Sequence, residues 1–152
     1  MADQIAIFPG SFDPVTIGHV SVVERAIPLF DRIIVAMGIN ENKKYLFEEE
    51  QRLGWLKDAF AHIENVGVVS FTGLTVELCK KHDASFILRG IRNGTDHDYE
   101  RSIALNNREM TGVETVFIPA EPGHAHISST IVRELFVNNA DISQFVPSVV
   151  NP

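Results

Sequence analysis

The stretch "FPGSFDPVTIGH", residues 8–19, follows the apolar run "QIAI" and leads into a helical pattern. It places two prolines, two glycines, a serine and a histidine where a strand passes into a helix, more turn residues than a connector needs. Gly10 and Gly18 allow a ligand close to the backbone, and the free amides of a helix start attract anions. Ser11 and His19 can both donate hydrogen bonds to a phosphate oxygen. An ordinary turn with a partly exposed histidine explains the stretch equally well.

Outward from this stretch, apolar strand candidates alternate with helical patterns along the whole chain. The strand candidates are continuous Val/Ile/Phe runs, which are typical of strands covered on both faces in a parallel sheet. The alternation predicts one α/β domain over residues 1–152, a doubly wound, Rossmann-like five-stranded parallel sheet with helices on both faces. The predicted strands are residues 5–8, 32–38, 66–71, 85–89 and 115–120.

Apolar residues at helical spacing predict the helices between these strands. Pro28 lacks an amide donor and crowds the preceding turn, so the first helix is expected to kink or end nearby. A short terminal helix is expected after Asp141. The apolar stripes are Val20, Val23, Ile27 and Phe30 in the first helix, Leu53, Leu56, Phe60 and Ile63 in the second, Tyr99, Ile103 and Met110 in the fourth, and Ile131, Leu135 and Phe136 in the fifth.

The composition bounds the class of protein. With 152 residues, 45% of them hydrophobic, and a net charge of −7, the chain can form one domain with a sizeable core but lacks the basic surface of a nucleic-acid or membrane-surface binder. A small anionic ligand stays possible. The lone cysteine, Cys79, is interpreted as helix packing in a reducing compartment rather than as a nucleophile. The start "MADQ" lacks the features of a signal peptide, and we expect a cytoplasmic protein.

Three further polar loops follow predicted strands, where open α/β sheets bind their ligands. Lys43 and Lys44 follow the second strand, although paired lysines are usually solvated surface. Arg89 ends a buried strand, and with Arg92 it could clamp a phosphate around the intervening glycine. The alternative is that Asp96, Asp98 or Glu100 neutralises the two arginines structurally.

The fourth loop is "GHAHISSTIVRE", residues 123–134, which offers three consecutive hydroxyls at a helix start. Capping needs only one of them, so the surplus suits an oxyanion lying on free amides. His124 and His126 have no third ligand near them in sequence, which disfavours a zinc site. Because all four loops follow predicted strands, we expect them to lie on one edge of the sheet and to bind phosphate.

These stretches also carry signatures. "GSFDPVTIGH" is similar to the T-x-G-H form of the H-x-G-H signature of the nucleotidyltransferase superfamily, and "ISSTIVR" is similar to its I-S-S-T-x-x-R signature. With "NKK", "RGIRNGTDHDYE" and its overall length, the chain resembles the bacterial phosphopantetheine adenylyltransferase family almost end to end. The resemblance implies a Mg²⁺-dependent transfer of AMP from ATP to 4′-phosphopantetheine, which gives dephospho-coenzyme A and pyrophosphate in coenzyme A biosynthesis. It also implies a homohexamer with feedback by coenzyme A.

The resemblance assigns roles residue by residue. His19 would stabilise the transition state, with Ser11, Lys43 and Arg92 completing the catalytic set. Ser11, where the family commonly has threonine, would contact both substrates, and no residue is assigned as a metal ligand. The acceptor-binding residues would be Ser11, Lys43, Thr75 and Arg89, and the ATP-binding residues Ser11, Phe12, His19, Gly90, Ile91, Arg92, Glu100, His124, Ala125, His126, Ile127, Ser128, Ser129 and Thr130. The segment "EPGHAH" departs from the family's pattern, because it has histidines where other members often have an aromatic residue.

The implied chemistry agrees with the residues. A phosphate monoester is anionic near neutral pH, since its second pKa is about 6, so no general base is required. The site has to hold two polyanions in line and disperse charge on the α-phosphate. Three alternatives stay open: another nucleotidyltransferase such as a cytidylyltransferase, a non-catalytic nucleotide-binding module, and a flavodoxin-like signalling domain. The last would need an acidic cluster after the first strand, where Asp13 stands alone.

Overall fold

The computed structural model describes residues 1–152, and strands and helices alternate along it. The order of elements confirms the predicted α/β alternation, with each strand followed by one α-helix. The strands are β1 Ile5–Gly10, β2 Arg32–Gly38, β3 Val66–Phe71, β4 Phe86–Ile91 and β5 Glu114–Pro119, and the helices are α1 Ile17–Ala26, α2 Glu49–Phe60, α3 Thr75–Lys81, α4 Gly94–Thr111 and α5 Ser129–Val137.

The five strands form one parallel sheet in the order β3-β2-β1-β4-β5. The direction of winding reverses at β1, which pairs with β2 on one side and with β4 on the other. This is the doubly wound topology that the sequence predicts. In such sheets the crevice at the reversal lies beyond the carboxyl ends of the two central strands, here β1 and β4.

Alternate residues of the central strands belong to two separate cores, because successive side chains point to opposite faces of a sheet. In β2, Ile33, Val35 and Met37 pack in the larger cluster, which includes residues of α1, α2 and α5. Ile34 and Ala36 pack in the smaller cluster, which includes residues of α3. Burial on both faces is the reason why these strands read as unbroken apolar runs.

The ends of β1 and β4 differ from the prediction in a way that forms the crevice. β1 extends to Gly10 along β2, whereas its pairing with β4 is confined to Ala6 and Ile7. Beyond Ile7 the two strands separate, and Pro9 has no amide with which to pair. The Arg89 side chain crosses the gap and donates to the Pro9 carbonyl at 2.7 Å.

Local sequence explains where the helices begin and end. α1 ends at Ala26 and a 3₁₀ turn over Ile27–Leu29 contains Pro28, which confirms that the helix ends near the proline. α4 begins after Asn93, whose side chain accepts from the Asp96 amide. It ends at Thr111 and is capped by Gly112, whose φ of 77° lies in the left-handed region that glycine adopts without strain.

The predicted terminal helix after Asp141 is wrong. The segment consists of turns, in which the Asp141 carboxylate accepts the Ser143 amide at 2.9 Å. Pro147 disfavours helical backbone at the residue before it, which ends any helix there. Ile142 and Val146 are nevertheless buried against the larger core, so their spacing of four residues reports burial rather than helicity.

The fourth apolar stripe lies on a helix, as predicted, but it is not buried. Tyr99, Ile103 and Met110 are exposed, and α4 contains no buried residue at all. The sheet's second face is covered mainly by α3, whereas the apolar side of α4 stays open in the single chain. None of the helices is both long and apolar enough to cross a membrane.

Candidate active site

A cavity of about 330 Å³ lies at the crevice beyond β1 and β4. All four polar loops singled out in the sequence contribute to it, through residues that include Ser11, Lys43, Arg92 and Thr130. His19 and Arg89 face the same cavity. The prediction that these loops meet on one edge of the sheet is confirmed, because the carboxyl ends of parallel strands all lie on that edge.

The backbone of α1 sets the orientation of His19. Its Nδ1 accepts the Thr16 amide at 3.0 Å, while its own amide donates to the Thr16 hydroxyl at 3.3 Å, which together form a capping box. An Nδ1 that accepts a hydrogen bond carries no proton, so the proton of the neutral ring lies on Nε2. Nε2 has no hydrogen-bond partner in the protein, and the ring lines the cavity.

The ring of His19 is also held in its neutral form. Burial lowers its pKa to about 4, and the positive charges of Arg89 and Arg92 act in the same direction. The Phe12 ring packs edge-on at 4.9 Å between centroids and adds to the desolvation. The side chain therefore presents a neutral N–H donor to the cavity at ordinary pH, not an imidazolium.

Lys43 and Ser11 meet at the side of the cavity. The Lys43 ammonium donates to the Ser11 hydroxyl at 3.0 Å, although the two residues are 32 positions apart. Lys44, its neighbour in sequence, lines a different and shallower depression. Of the adjacent lysines, only Lys43 is placed where an anion in the main cavity would meet it.

Both arginines of the third loop are paired with carboxylates, which is the structural alternative that the sequence left open. Arg89 Nε donates to Glu100 at 3.0 Å, and Nη2 donates to the other oxygen of the same carboxylate. Arg92 pairs with Asp96 in the same side-on manner. A guanidinium has five N–H groups, so Arg89 keeps two without a protein acceptor after its bond to Pro9. A phosphate would share these arginines with the carboxylates.

The three hydroxyls at the start of α5 are also engaged within the protein. Ser128 caps the helix, Ser129 donates to the Pro14 carbonyl at 2.8 Å, and Thr130 accepts from Arg133 at 3.2 Å. Ser128 and Thr130 only accept in these bonds, so their O–H groups can still donate to an anion, whereas the Ser129 O–H is used by the protein. The amides of Ser129 and Thr130, the first two of the helix, also have no acceptor in the protein.

Arg133 lines the cavity and was missed by our reading of the sequence. Its guanidinium donates to the Asp13 carbonyl at 2.9 Å and to the Thr130 hydroxyl, which joins α5 to the loop after β1. The signal was present as the last position of "ISSTIVR". Arg133 lies three residues after Thr130 on α5, which places it on the same face as the start of the helix.

The remaining predicted residues divide between those that line the cavity and those that do not. Phe12, Gly90, His124 and Ile127 line it, whereas Ile91, Ala125 and His126 do not. His124 has a buried Nδ1 without a hydrogen-bond partner. The contact of this loop with a nucleotide stays a prediction, as do the roles of all the site residues.

A second cavity of about 330 Å³ adjoins the first and shares Ser11, Arg89 and Glu100 with it. Thr75 lies in this second cavity, together with residues of α4 such as Tyr99 and Ile103. Arg89 and Glu100 line both cavities and lie where the two adjoin. The arrangement suits a large ligand that extends from the first cavity toward the α3–α4 side.

The carboxylates around the first cavity all have protein partners. Asp13 accepts the amides of Leu46 and Phe47 at 2.9 and 3.0 Å, and the other two carboxylates are those paired with the arginines. No three His, Cys, Asp or Glu side chains in the chain are grouped to hold a metal ion. A divalent ion at this site would need oxygens from the ligands themselves.

The sequence is similar to one family model and to curated relatives over most of its length. The sequence model of the cytidylyltransferase-like family matches residues 7–135. A phosphopantetheine adenylyltransferase from Christiangramia forsetii is 48% identical over 145 residues, which cover 95% of this chain and 96% of the relative. A phosphopantetheine adenylyltransferase from Bacteroides thetaiotaomicron is 48% identical over 142 residues, with coverage of 93% and 94%.

Solved structures with low sequence identity share the fold. A Vibrio parahaemolyticus protein assigned as a nicotinate-nucleotide adenylyltransferase superposes with a TM-score of 0.67 at 24% identity, covering 97% of this chain and 96% of that one. A bifunctional NMN adenylyltransferase/ADP ribose pyrophosphatase from Francisella tularensis gives 0.73 at 16% identity, covering 99% of this chain and 46% of that one. At these identities the likeness describes architecture only.

Proposed function

The chain belongs to the phosphopantetheine adenylyltransferase family, and we propose on that premise that it transfers AMP from ATP to 4′-phosphopantetheine, with release of pyrophosphate. The observation that carries the proposal within the structure is the single cavity shared by His19, Lys43, Ser11 and the free amides of α5. The product is dephospho-coenzyme A, an intermediate of coenzyme A biosynthesis.

The proposed reaction is an in-line displacement that needs no proton-abstracting group. The acceptor phosphate is already ionised and attacks the α-phosphate of ATP, from which pyrophosphate leaves. Charge that develops on the α-phosphate oxygens is stabilised by the Nε2–H of His19. A neutral donor suits this task, because its hydrogen bond strengthens as the oxygen gains charge and it has no proton to lose to the phosphate.

The other contacts hold the two substrates. Lys43 and Ser11 hold the phosphate of phosphopantetheine, which places its pantetheine arm in the second cavity beside Thr75. The amides of Ser129 and Thr130 hold the β- and γ-phosphates of ATP at the positive end of α5. Arg92 and Arg133 face the cavity and add positive potential around the leaving pyrophosphate.

We propose Mg²⁺ as the metal, carried on the nucleotide. Bound to ATP, it would neutralise charge on the phosphates during the displacement. The donor set of the chain agrees with this, because Asp96 and Glu100 are engaged by arginines and Asp13 by backbone amides. These carboxylates orient cations and loops rather than coordinate an ion.

We further propose that the enzyme forms a homohexamer, as the resemblance implies, through the apolar side of α4. Tyr99, Ile103 and Met110 of this helix are exposed by 69%, 39% and 62%, and Leu74 beside α3 by 62%. An exposed apolar surface of this kind is stabilised by a second chain.

Coenzyme A, which contains the product, is the proposed feedback ligand of the active-site cavity. A cytoplasmic location is also proposed, and the unpaired thiol of Cys79 agrees with it.

The proposal is tested by an assay of pyrophosphate release. Purified protein is incubated with Mg²⁺, one of ATP, CTP and GTP, and one of 4′-phosphopantetheine, nicotinamide mononucleotide and phosphocholine. We expect release with ATP and 4′-phosphopantetheine and a rate at least about a hundredfold lower with the other pairs. Faster release with CTP would identify a cytidylyltransferase instead, and no release from any pair despite ATP binding would indicate a binding module.

A further inference from the structure

Arg52 is the one charged side chain of α2 that is buried, with 1% of its surface exposed. No carboxylate lies within ion-pair distance of it, which is unusual because an unpaired buried charge costs several kcal/mol. Its guanidinium instead donates to two backbone carbonyls, from Nη1 to Ser11 at 2.7 Å and from Nε to Phe47 at 3.1 Å. A buried cation held in this way calls for a reason other than stability.

The two carbonyls belong to the two loops that supply Ser11 and Lys43 to the cavity. Arg52 joins the loop after β1 to the end of the loop after β2. Asp13 joins the same loops in the opposite sense, since its carboxylate accepts the Leu46 and Phe47 amides. The backbones on both sides of the Lys43–Ser11 hydrogen bond are thus fixed relative to each other from behind the cavity.

Tyr45 extends this connection to the Lys43 side chain. The Arg52 guanidinium lies 4.0 Å from the centroid of the Tyr45 ring, and Lys43 Nζ lies 5.5 Å from the same centroid. The Tyr45 hydroxyl accepts the Asn40 amide at 3.0 Å, which holds the beginning of the loop. Lys43 is exposed and has a flexible stem, so its position depends on this support.

We propose that Arg52 is a positioning residue of the transferase site: it fixes Lys43 and Ser11 in the geometry that receives the acceptor phosphate. The inference rests on the proposed function, because it assigns the acceptor phosphate to that pair. Arg52 itself lies behind the Ser11 backbone and does not line either cavity. Its effect therefore reaches the substrate only through the two loops.

The test is a double-mutant cycle between Arg52 and Lys43. Arg52→Lys keeps the charge but lacks the planar guanidinium that donates to both carbonyls. Arg52→Gln removes the buried charge and also cannot reach both carbonyls. Each is made in the wild-type and in the Lys43→Ala background, with Lys57→Gln on the exposed side of α2 as control. Folding of each variant is checked by circular dichroism, and one folded Arg52 variant is sufficient to complete the cycle. Kinetics with each substrate varied are combined with calorimetric titration of 4′-phosphopantetheine.

We expect each Arg52 variant to lower kcat/KM for 4′-phosphopantetheine by about tenfold, with the KM for ATP changed less than about twofold. In the Lys43→Ala background the same substitution should change kcat/KM for 4′-phosphopantetheine less than about twofold, since the effects of substituting residues that act as a unit are not additive. An equal loss in both backgrounds, or an equal loss for both substrates, would overturn the proposal. If the wild-type protein binds the acceptor but releases no pyrophosphate, the proposed function fails alone, and the cycle is then evaluated from the dissociation constants.

Discussion

His19 shows how a single side chain can belong both to the fold and to the site. One ring nitrogen completes the cap of α1, and this leaves the other free to donate into the cavity. The cap thereby selects the tautomer, and the burial that accompanies it lowers the pKa so that the ring stays neutral. Structural and proposed catalytic demands on this residue can be separated by substitution.

We expect His19→Ala to lower kcat by roughly 10²–10³, as removal of a transition-state donor does. His19→Asn is the informative companion, because its side-chain oxygen can accept the Thr16 amide in place of Nδ1 but offers no donor at Nε2. The asparagine variant should melt near the wild-type temperature and still lose turnover like the alanine variant. Near-normal kcat in His19→Asn would show that the Nε2 proton is not used.

The low pKa of His19 also predicts how stability depends on pH. Its folded pKa is about 4, below the ordinary value of 6.5, so between these values the unfolded chain binds the proton more strongly. The stabilisation that His19 contributes is complete above about pH 6.5 and is lost as the pH falls toward about 4. Urea unfolding at about pH 7 and about pH 5 should show a smaller pH difference in His19→Asn than in wild type. The same difference in both proteins would contradict the lowered pKa.

Lys43 and Lys44 provide a matched pair for the acceptor site. Only Lys43 reaches Ser11 and the main cavity, so Lys43→Ala should weaken 4′-phosphopantetheine binding by about tenfold to a hundredfold, the usual effect of losing a charged hydrogen bond. Its effect on ATP binding should be smaller. Calorimetric titration with each substrate shows whether 4′-phosphopantetheine binding is weakened more than ATP binding. Lys44→Ala, titrated in the same way, should behave like wild type with both substrates.

At the scale of elements, the site depends on how closely two helices approach the end of the sheet. The amides of Gly18 in α1 and of Ser129 and Thr130 in α5 have no protein acceptors, and these residues line the cavity. α1 can lie so near to β4 because Gly90 has no side chain. A Cβ added there would lie 2.9 Å from Cγ2 of Val22, which is buried on α1.

Gly90→Ala should therefore displace α1 and, with it, His19, which lies one turn before Val22. Valine is stiff at χ1 on a helix and cannot turn away, so we expect a loss of about 1–3 kcal/mol in stability together with lower kcat. Gly94→Ala is the control, because nothing lies within 4 Å of its added Cβ. Val22→Ala should restore much of the turnover of Gly90→Ala by removing the clash. Failure of this rescue, measured by steady-state kinetics, would mean that the contact does not limit the site.

For the whole molecule, the apolar side of α4 connects the second cavity to the proposed assembly. Tyr99 and Ile103 line that cavity, and Met110 continues their stripe outside it. Met110→Lys should shift the protein to a smaller assembly in sedimentation or light-scattering measurements, because it places a charge in the proposed interface. Arg101→Glu, two residues from Tyr99 and so on the other side of the helix, should leave the assembly unchanged. A wild-type monomer at micromolar concentration would refute the proposed hexamer.

Patterns that operate over short stretches could be interpreted without coordinates. The apolar runs, Pro28 and the four polar strand ends led to the correct sheet and to the edge that carries the cavity, because an unbroken apolar run and turn chemistry are local properties of the sequence. The stripe of α4 correctly predicted a helix, but it does not correspond to burial within the single chain. The residues around Asp141 misled because apolar spacing is shared by helices and by buried turns.

The sequence by itself determined the alternation of elements and the edge at which the four polar loops gather. Only the tertiary structure decided what each polar group there is bonded to: Glu100 on Arg89, the Thr16 amide on His19, and two carbonyls on the buried Arg52. The physical reason is that a side chain's charge state and direction depend on its neighbours in space. Arg89 and the Pro9 carbonyl, 80 positions apart, become neighbours only when β1 and β4 pair and then separate.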